Sequence, residues 1–97
     1  MHVPTKEILD KLLALGDARF TSPLGKLAWG LVRSAIVANE ARIIDEVDRL
    51  GHKLVDAITK AGDEFVAKTP NKIDDFVWQA FIRPFLRETV LELQAEG

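Results

Sequence analysis

The chain contains no cysteine and no tyrosine among its 97 residues. Without thiols, a disulfide-stapled scaffold and a cysteine-ligated zinc module are both excluded. An excess of charge is missing too: 13 Lys and Arg stand against 15 Asp and Glu, a formal net charge of −2. That balance lacks the electrostatic footprint with which proteins hold phosphate backbones, so a strongly basic nucleic-acid binder is not expected. No stretch approaches the roughly 18 to 20 uninterrupted apolar residues that span a bilayer. Residues 1–16 mix charges with apolar side chains and show no signal-peptide core, which points to a cytoplasmic setting. Only two histidines occur, His2 and His52.

What is abundant is apolar side chain: 47% of the residues, enough for a single globular domain and too much for disorder. Its spacing is helical throughout, and no strand signal, low-complexity run or internal repeat stands out. A first amphipathic helix is expected over residues 4–15, with Ile8, Leu9, Leu12, Leu13 and Leu15 on one broad face and Lys6, Glu7, Asp10 and Lys11 on the other. Gly16 sits where a left-handed residue would end it, and Asp17 opens a polar connection in which Phe20 folds back over the neighbouring helices.

Ser22-Pro23 is a helix start: a serine to accept from the orphan N–H groups, then a proline that needs none. No proline intervenes before Pro70, so one long helix is expected over residues 23–68. Ile43, Val47, Leu50, Leu54, Ala57 and Ala61 follow steps of four and three, as in a coiled-coil seam, and Ile44, Ile58 and Phe65 widen that seam. A break near Gly51 or Gly62 is the alternative. Charge is uneven along the stretch. Residues 23–39 hold Lys26 and Arg33 and no acid, whereas 40–68 hold seven acids and five bases.

Thr69-Pro70 repeats the start signal. A helix is expected over 71–83 with Asn71 as a cap, Asp74 and Asp75 in the favourable first turn, and Ile73, Phe76, Val77, Ala80 and Phe81 on its buried face with Trp78 and Ile82 to the flanks. Pro84 then kinks or restarts the chain, and a last helix runs over 84–95 with Leu86, Val90 and Leu93 inward. The fold class expected is all-α: three or four helices dominated by the long one, in an oligomeric helical assembly.

Chemistry is thin. Asp45, Asp48, His52 and Asp56 fall on one side of the expected long helix, but Arg49 and Lys53 interleave them, and the set reads as a solvated face, not a metal site. Asp45-Glu46, Asp63-Glu64 and Asp74-Asp75 are neighbours about 100° apart on a helix and do not share a pocket. No nucleophile–base pair, P-loop or dinucleotide fingerprint is present. Neither enzyme activity nor a cofactor or metal is expected. Arg83 and Arg87, one turn apart, form a positive patch too small for a recognition helix.

The apolar segment 24–38 has three readings: a core helix, a subunit interface, or membrane-surface contact with Lys26 and Arg33 at headgroup level. Trp78, Phe81 and Phe85 form an aromatic stripe, in which Trp78 is the expected exposed hot spot. The expected function is non-enzymatic self-association or docking on a larger protein assembly, with Leu27, Trp29, Leu31, Ile36, Trp78, Phe81 and Phe85 as the interface. On that reading, Trp78→Ala and Leu31→Asp dissociate the assembly and leave helicity intact.

The stretch Lys68-Thr69-Pro70-Asn71-Lys72-Ile73-Asp74-Asp75-Phe76-Val77 resembles a segment near the C-terminus of small bacteriophage accessory proteins, some of them labelled holin-like. The resemblance implies a small phage-encoded helical protein, a virion component. Such proteins usually carry an upstream membrane-spanning segment, which this chain does not show. No functional residue carries over.

Overall fold

The stretch expected as one long helix is three helices in the computed structural model, which describes residues 3–69 and 71–96. An unbroken helix over 23–68 would be about 69 Å long at 1.5 Å per residue. The longest extent of the molecule is 39 Å. Among the described residues the helices are α1 (Thr5–Arg19), α2 (Pro23–Ala38), α3 (Glu40–Asp48), α4 (Leu54–Lys68) and a composite α5. The last consists of three contiguous segments: Asp75–Val77, a π-helical stretch Trp78–Ile82, and Arg83–Glu96. No strand occurs among them, so the all-α class stands, while the dominant long helix and the count of three or four do not: five helices replace them. His2 and Pro70, both singled out in the sequence, lie outside the described residues.

The two breaks have separate causes. At Asn39 the side chain competes with the backbone, because its Nδ2 donates to the Ala35 carbonyl at 2.7 Å. The Asn39 N–H is shared between the Ala35 and Ile36 carbonyls, and helix resumes at Glu40. At residues 49–53 the chain turns through Gly51, whose φ of 75° lies in the left-handed region open to glycine. Leu50 and His52 N–H groups reach back to the Asp45 and Glu46 carbonyls, at 3.2 and 2.9 Å, and close the end of α3. The seam of fours and threes is therefore two core faces of separate helices. Ile43, Leu54, Ala57 and Ala61 are buried, whereas Leu50, expected inside, is half exposed.

The starts follow local chemistry. Ser22 accepts from the Gly25 N–H at 3.1 Å and Pro23 holds the first helical position. The last helix begins at Asp75, not Asn71, because Asp74 supplies the cap, its carboxylate accepting from the Phe76 N–H at 2.7 Å. Pro84 does not restart the chain, which is helical without interruption from Asp75 to Glu96. It lacks an N–H, and its ring would press on the carbonyl four residues back. The π turn before it absorbs both problems: the Arg83 N–H reaches the Trp78 carbonyl five residues back, and the helix continues to Glu96.

One continuous core joins all five helices, with Leu9, Leu12, Ile36, Ile43, Leu54, Ile58, Trp78 and Leu86 among its fully buried members. Two tryptophans organise it, each in the same way. Trp29 lies over Gly16, and its Nε1 donates to Asp17 Oδ1 at 2.7 Å; Arg33 Nε donates to that oxygen at 3.1 Å. Trp78 lies over Gly62, and its Nε1 donates to Asp63 Oδ1 at 2.8 Å; Arg83 Nε donates to that oxygen at 3.2 Å. Gly16 consequently does not end α1. It sits inside the helix, buried, where a Cβ would overlap the Trp29 ring. Asp17, expected in a polar connection, is the helical residue that holds the indole. Phe20 does fold back, stacking on Trp29 at 5.5 Å and meeting Phe85 edge-on at 5.2 Å.

Candidate functional site

With the core closed within the chain, surplus apolar surface marks what is left for function. Four large side chains cluster where α2 begins beside the start of α5. Leu24 is 81% exposed, Leu27 62%, Phe76 67% and Phe81 56%. They follow from helix geometry. Leu24, Leu27 and Leu31 recur at steps of three and four, on the side of α2 away from Val32 and Ile36. Helix α2 is apolar over more than its core face: Leu31 still packs against the core, half-buried, while Leu24 and Leu27 remain in solvent. Phe76 and Phe81 meet each other edge-on, with ring centroids 5.7 Å apart, and so hold each other in place in solvent.

Between these side chains lies a groove of about 540 Å³. One wall is Phe20, Ser22, Leu24, Gly25, Leu27 and Ala28. The opposite wall is Lys72, Ile73, Asp74, Val77, Phe81 and Ile82, with apolar atoms prevailing on both sides. Its charged members are one cation, Lys72, and one anion, Asp74, the latter engaged as the α5 cap.

A second hollow, of about 600 Å³, is lined by Asp63, Ile73, Asp75, Trp78, Gln79 and Arg83 among others. Its central carboxylate is already taken. Trp78 and Arg83 donate to Asp63 Oδ1, and Arg83 Nη2 donates to Oδ2 at 3.4 Å. That arrangement locks two helices together and offers neither a nucleophile nor a free base. It also engages Arg83, one half of the positive patch expected with Arg87.

The four residues expected on one solvated side of the long helix are dispersed: Asp45 and Asp48 belong to α3, His52 to the turn and Asp56 to α4. Among the described residues no three His, Asp or Glu side chains converge on a point. Shifted ionisations belong to surface pairs. The hydrogen bonds that the Lys6 ammonium donates to Glu40 and Asp10 raise its pKa; the Arg49 guanidinium lowers that of Asp45 and is itself raised by it. These pairs pin α1 to α3 and the turns of α3 to each other, well apart from the groove.

Of the seven residues expected at an interface, Leu27 and Phe81 belong to the exposed cluster and Leu31 is half-buried at its margin. Trp29, Ile36, Trp78 and Phe85 are buried at 3%, 1%, 1% and 8% exposure and are core residues of the single chain. The correction matters most for Trp78, expected as the exposed hot spot. Its ring fills the space over Gly62 and its N–H is satisfied by Asp63, so a Trp78→Ala change acts on folding, not on association. Sequence reasoning missed Leu24 and Phe76. The Leu24, Leu27, Leu31 spacing is a usable signal for the first; Phe76, expected with Phe81 on the buried face of a helix from Asn71, is exposed because that helix starts at Asp75 and turns Trp78 and Ile82 inward instead.

The chain matches no protein family, no curated protein and no solved structure. The groove and its rim therefore carry the functional reading. No helix among the described residues is long and apolar enough to cross a membrane.

Proposed function

We propose that the protein is a non-enzymatic helical docking module that associates with a second copy of itself over the face formed by α2 and the start of α5. The observation carrying this is the exposure of Leu24, Leu27 and Phe81 along one groove, with exposed Phe76 edge-on against Phe81 at its rim. Together they expose roughly 500 Å² of apolar side chain, at the upper end of the largest patch an ordinary monomer shows.

A second copy suits this face because it carries both a groove and the ridges to fill one, so the same patch serves on each side of a two-fold interface. Joining two such patches buries roughly 1,000 Å², the lower bound of specific interfaces. Association entropy and side-chain ordering oppose that gain by about 4–15 kcal/mol. The result is a dimer that dissociates on dilution, not an obligate one.

Light scattering after size exclusion, across a hundredfold dilution, tests the reading. The wild-type chain should pass from dimer to monomer within that range. Leu27→Asp with Phe81→Asp should be monomeric throughout, with unchanged helicity, since both side chains already face solvent. Leu91→Asp, at an exposed leucine elsewhere on α5, should behave as wild type. A wild-type monomer at every concentration, or equal loss in the Leu91 variant, overturns the assignment.

A further inference from the structure

The two tryptophan locks belong to a larger correspondence between the halves of the chain. Helix α1 corresponds to α4 and α2–α3 to α5. Leu9, Leu12 and Gly16 are buried, and so are Val55, Ile58 and Gly62, each 46 positions later. Beyond the connection, three residues longer in the second half, Ala28-Trp29 corresponds to Val77-Trp78 at a separation of 49. One more residue enters within the π stretch, and from there Val32, Ile36 and Ile43 correspond to Ile82, Leu86 and Leu93 at a separation of 50, all buried. The packing between the halves is reciprocal: α2 lies on α4, and the long segment of α5 lies on α1.

Each half is also complete in its polar contacts. The Trp29 lock joins α1 to α2 and the Trp78 lock joins α4 to α5, each inside one half. Thr5 and Lys6 bind Asp48 and Glu40, again within the first half. Among the described residues, the side-chain hydrogen bonds and ion pairs that leave a half are Arg42 to Glu64, at 3.4 Å on the surface, and His52 to Glu46 at the turn. What holds the halves together is therefore apolar packing, which an identical half from another copy supplies equally well.

The link between the halves is the turn at residues 49–53. Arg42 and Glu64 meet from either side of it, so α3 and α4 run antiparallel. Yet Ile43, Val47, Leu50, Leu54, Ala57 and Ala61 keep their steps of four and three straight through the turn. With residues 49–53 helical, all six would share one face. In the folded chain Leu50 is the exposed member of that seam, at 50%. Gly51, at a φ of 75°, is the residue whose left-handed backbone a helix does not contain.

We infer that the chain exchanges halves with a second copy, residues 49–53 becoming helical so that α3 runs on into α4 and each first half packs on the other copy's second half. The two straightened helices lie antiparallel, with Arg42 of one beside Glu64 of the other. Midway between 42 and 64 is 53, so the two-fold axis passes there and each Leu50 is covered by the partner's helix. This dimer does not use the groove, and it stands or falls apart from the face-to-face association. Gly51 is its latch. A left-handed residue favours the closed monomer, and glycine weakens the helix that the exchanged dimer needs. Alanine at that position reverses both effects.

Leu27→Asp with Phe81→Asp supplies a full-length parent without the groove contact, and size exclusion with light scattering reads its mass. Gly51→Ala in that parent should raise the association constant about a thousandfold, because both chains lose the turn and gain the helix. The dimer should outlast dilution, since its halves must separate before each chain closes, and should give monomer after unfolding and refolding at low concentration. Gly51→Asn, which still accepts the left-handed turn, should stay monomeric. Leu50→Ser added to Gly51→Ala should weaken the dimer at least tenfold, and alone should leave the parent's mass and melting unchanged. A Gly51→Ala chain that is monomeric, or that no longer melts cooperatively, overturns the exchange. So does a dimer that falls apart at once on dilution, or one that Leu50→Ser leaves untouched.

Discussion

Gly62→Ala should lower the thermal midpoint by about 10–20 °C, opposite to the direction that helix propensity sets. Alanine in a helix interior is favoured over glycine by about 1 kcal/mol. At Gly62, however, a Cβ would occupy the space of the Trp78 ring. That indole is rigid and fully buried, so it cannot swing aside as the end of a lysine would. Overpacking a closed core costs about 1–3 kcal/mol. Moving the ring also breaks the Nε1–Asp63 hydrogen bond, worth about 1.5–3 kcal/mol because the acceptor is charged. Steric and polar losses exceed the propensity gain by about 2–4 kcal/mol. For a chain of this size each kilocalorie moves the midpoint by about 4–8 °C.

Gly16→Ala should behave alike, through Trp29 and Asp17. Gly30→Ala supplies the contrast, since a Cβ there meets nothing within 4 Å and only the propensity term acts, raising the midpoint by a few degrees. Melting curves by circular dichroism at one fixed protein concentration read all three, the fixed concentration removing any contribution of self-association. A midpoint for Gly62→Ala at or above wild type would mean that the core yields around Trp78, and would remove the reason for the glycine.

The same two glycines show where the sequence was readable and where it was not. Helical period, the Ser22-Pro23 start and the inward faces of α1 and α4 all follow from local rules, and each is present, except that Leu15, expected on the inward face of α1, is exposed. A glycine one position before an aspartate reads locally as a helix end, and that is how Gly16-Asp17 reads. Only the tertiary partner shows that the glycine makes room for an indole and the aspartate receives its N–H. Gly62-Asp63 bears the same ambiguity. The repeat was hidden for a related reason. Asp and Trp are 12 residues apart in the first half and 15 in the second, and Trp and Arg are 4 and 5 apart. No fixed period survives two insertions, although the contacts do.

The long helix failed for a different reason. A heptad seam detects faces, not continuity, and the turn at Gly51 hands the core from α3 to α4 almost in phase. Ile43 and Leu54 are both fully buried, yet Leu50 between them is turned out. For the site, the aromatic stripe reads with Trp78 as its exposed member, whereas Trp78 is buried and Phe81 is exposed. Period 3.6 places Trp78 and Phe81 near each other on a wheel. The π turn separates them, Trp78 into the core and Phe81 onto the groove.

That π turn supports the second large effect, which concerns a deletion. Removing Ala80, together with Pro84→Ser, should leave a cooperatively folding protein whose midpoint lies within about 5 °C of wild type. Deleting one residue from a regular α-helix rotates everything beyond it by about 100° and would carry Phe85, Leu86, Val90 and Leu93 out of the core. Here the rotation is already present in reverse. The π stretch holds one residue more than an α-helix of the same course needs, and deletion returns the Trp78–Arg83 interval to the spacing of Trp29–Arg33. Phe81 would then take the place that Leu31 holds in α2. The serine is required because a proline after an α-helical turn would press on the carbonyl four residues back, at about 3 kcal/mol. Its counterpart in the first half is Ser34, which donates to the Gly30 carbonyl within an unbroken helix. Deleting Lys60, in the regular helix α4, is the matched control; it should abolish the cooperative transition by turning Ala61, Gly62 and Val66 away from the core. If both deletions unfold the protein, the π turn is not an inserted residue and the two halves are not copies. If only the Lys60 deletion does, the second hairpin is the first with one residue added.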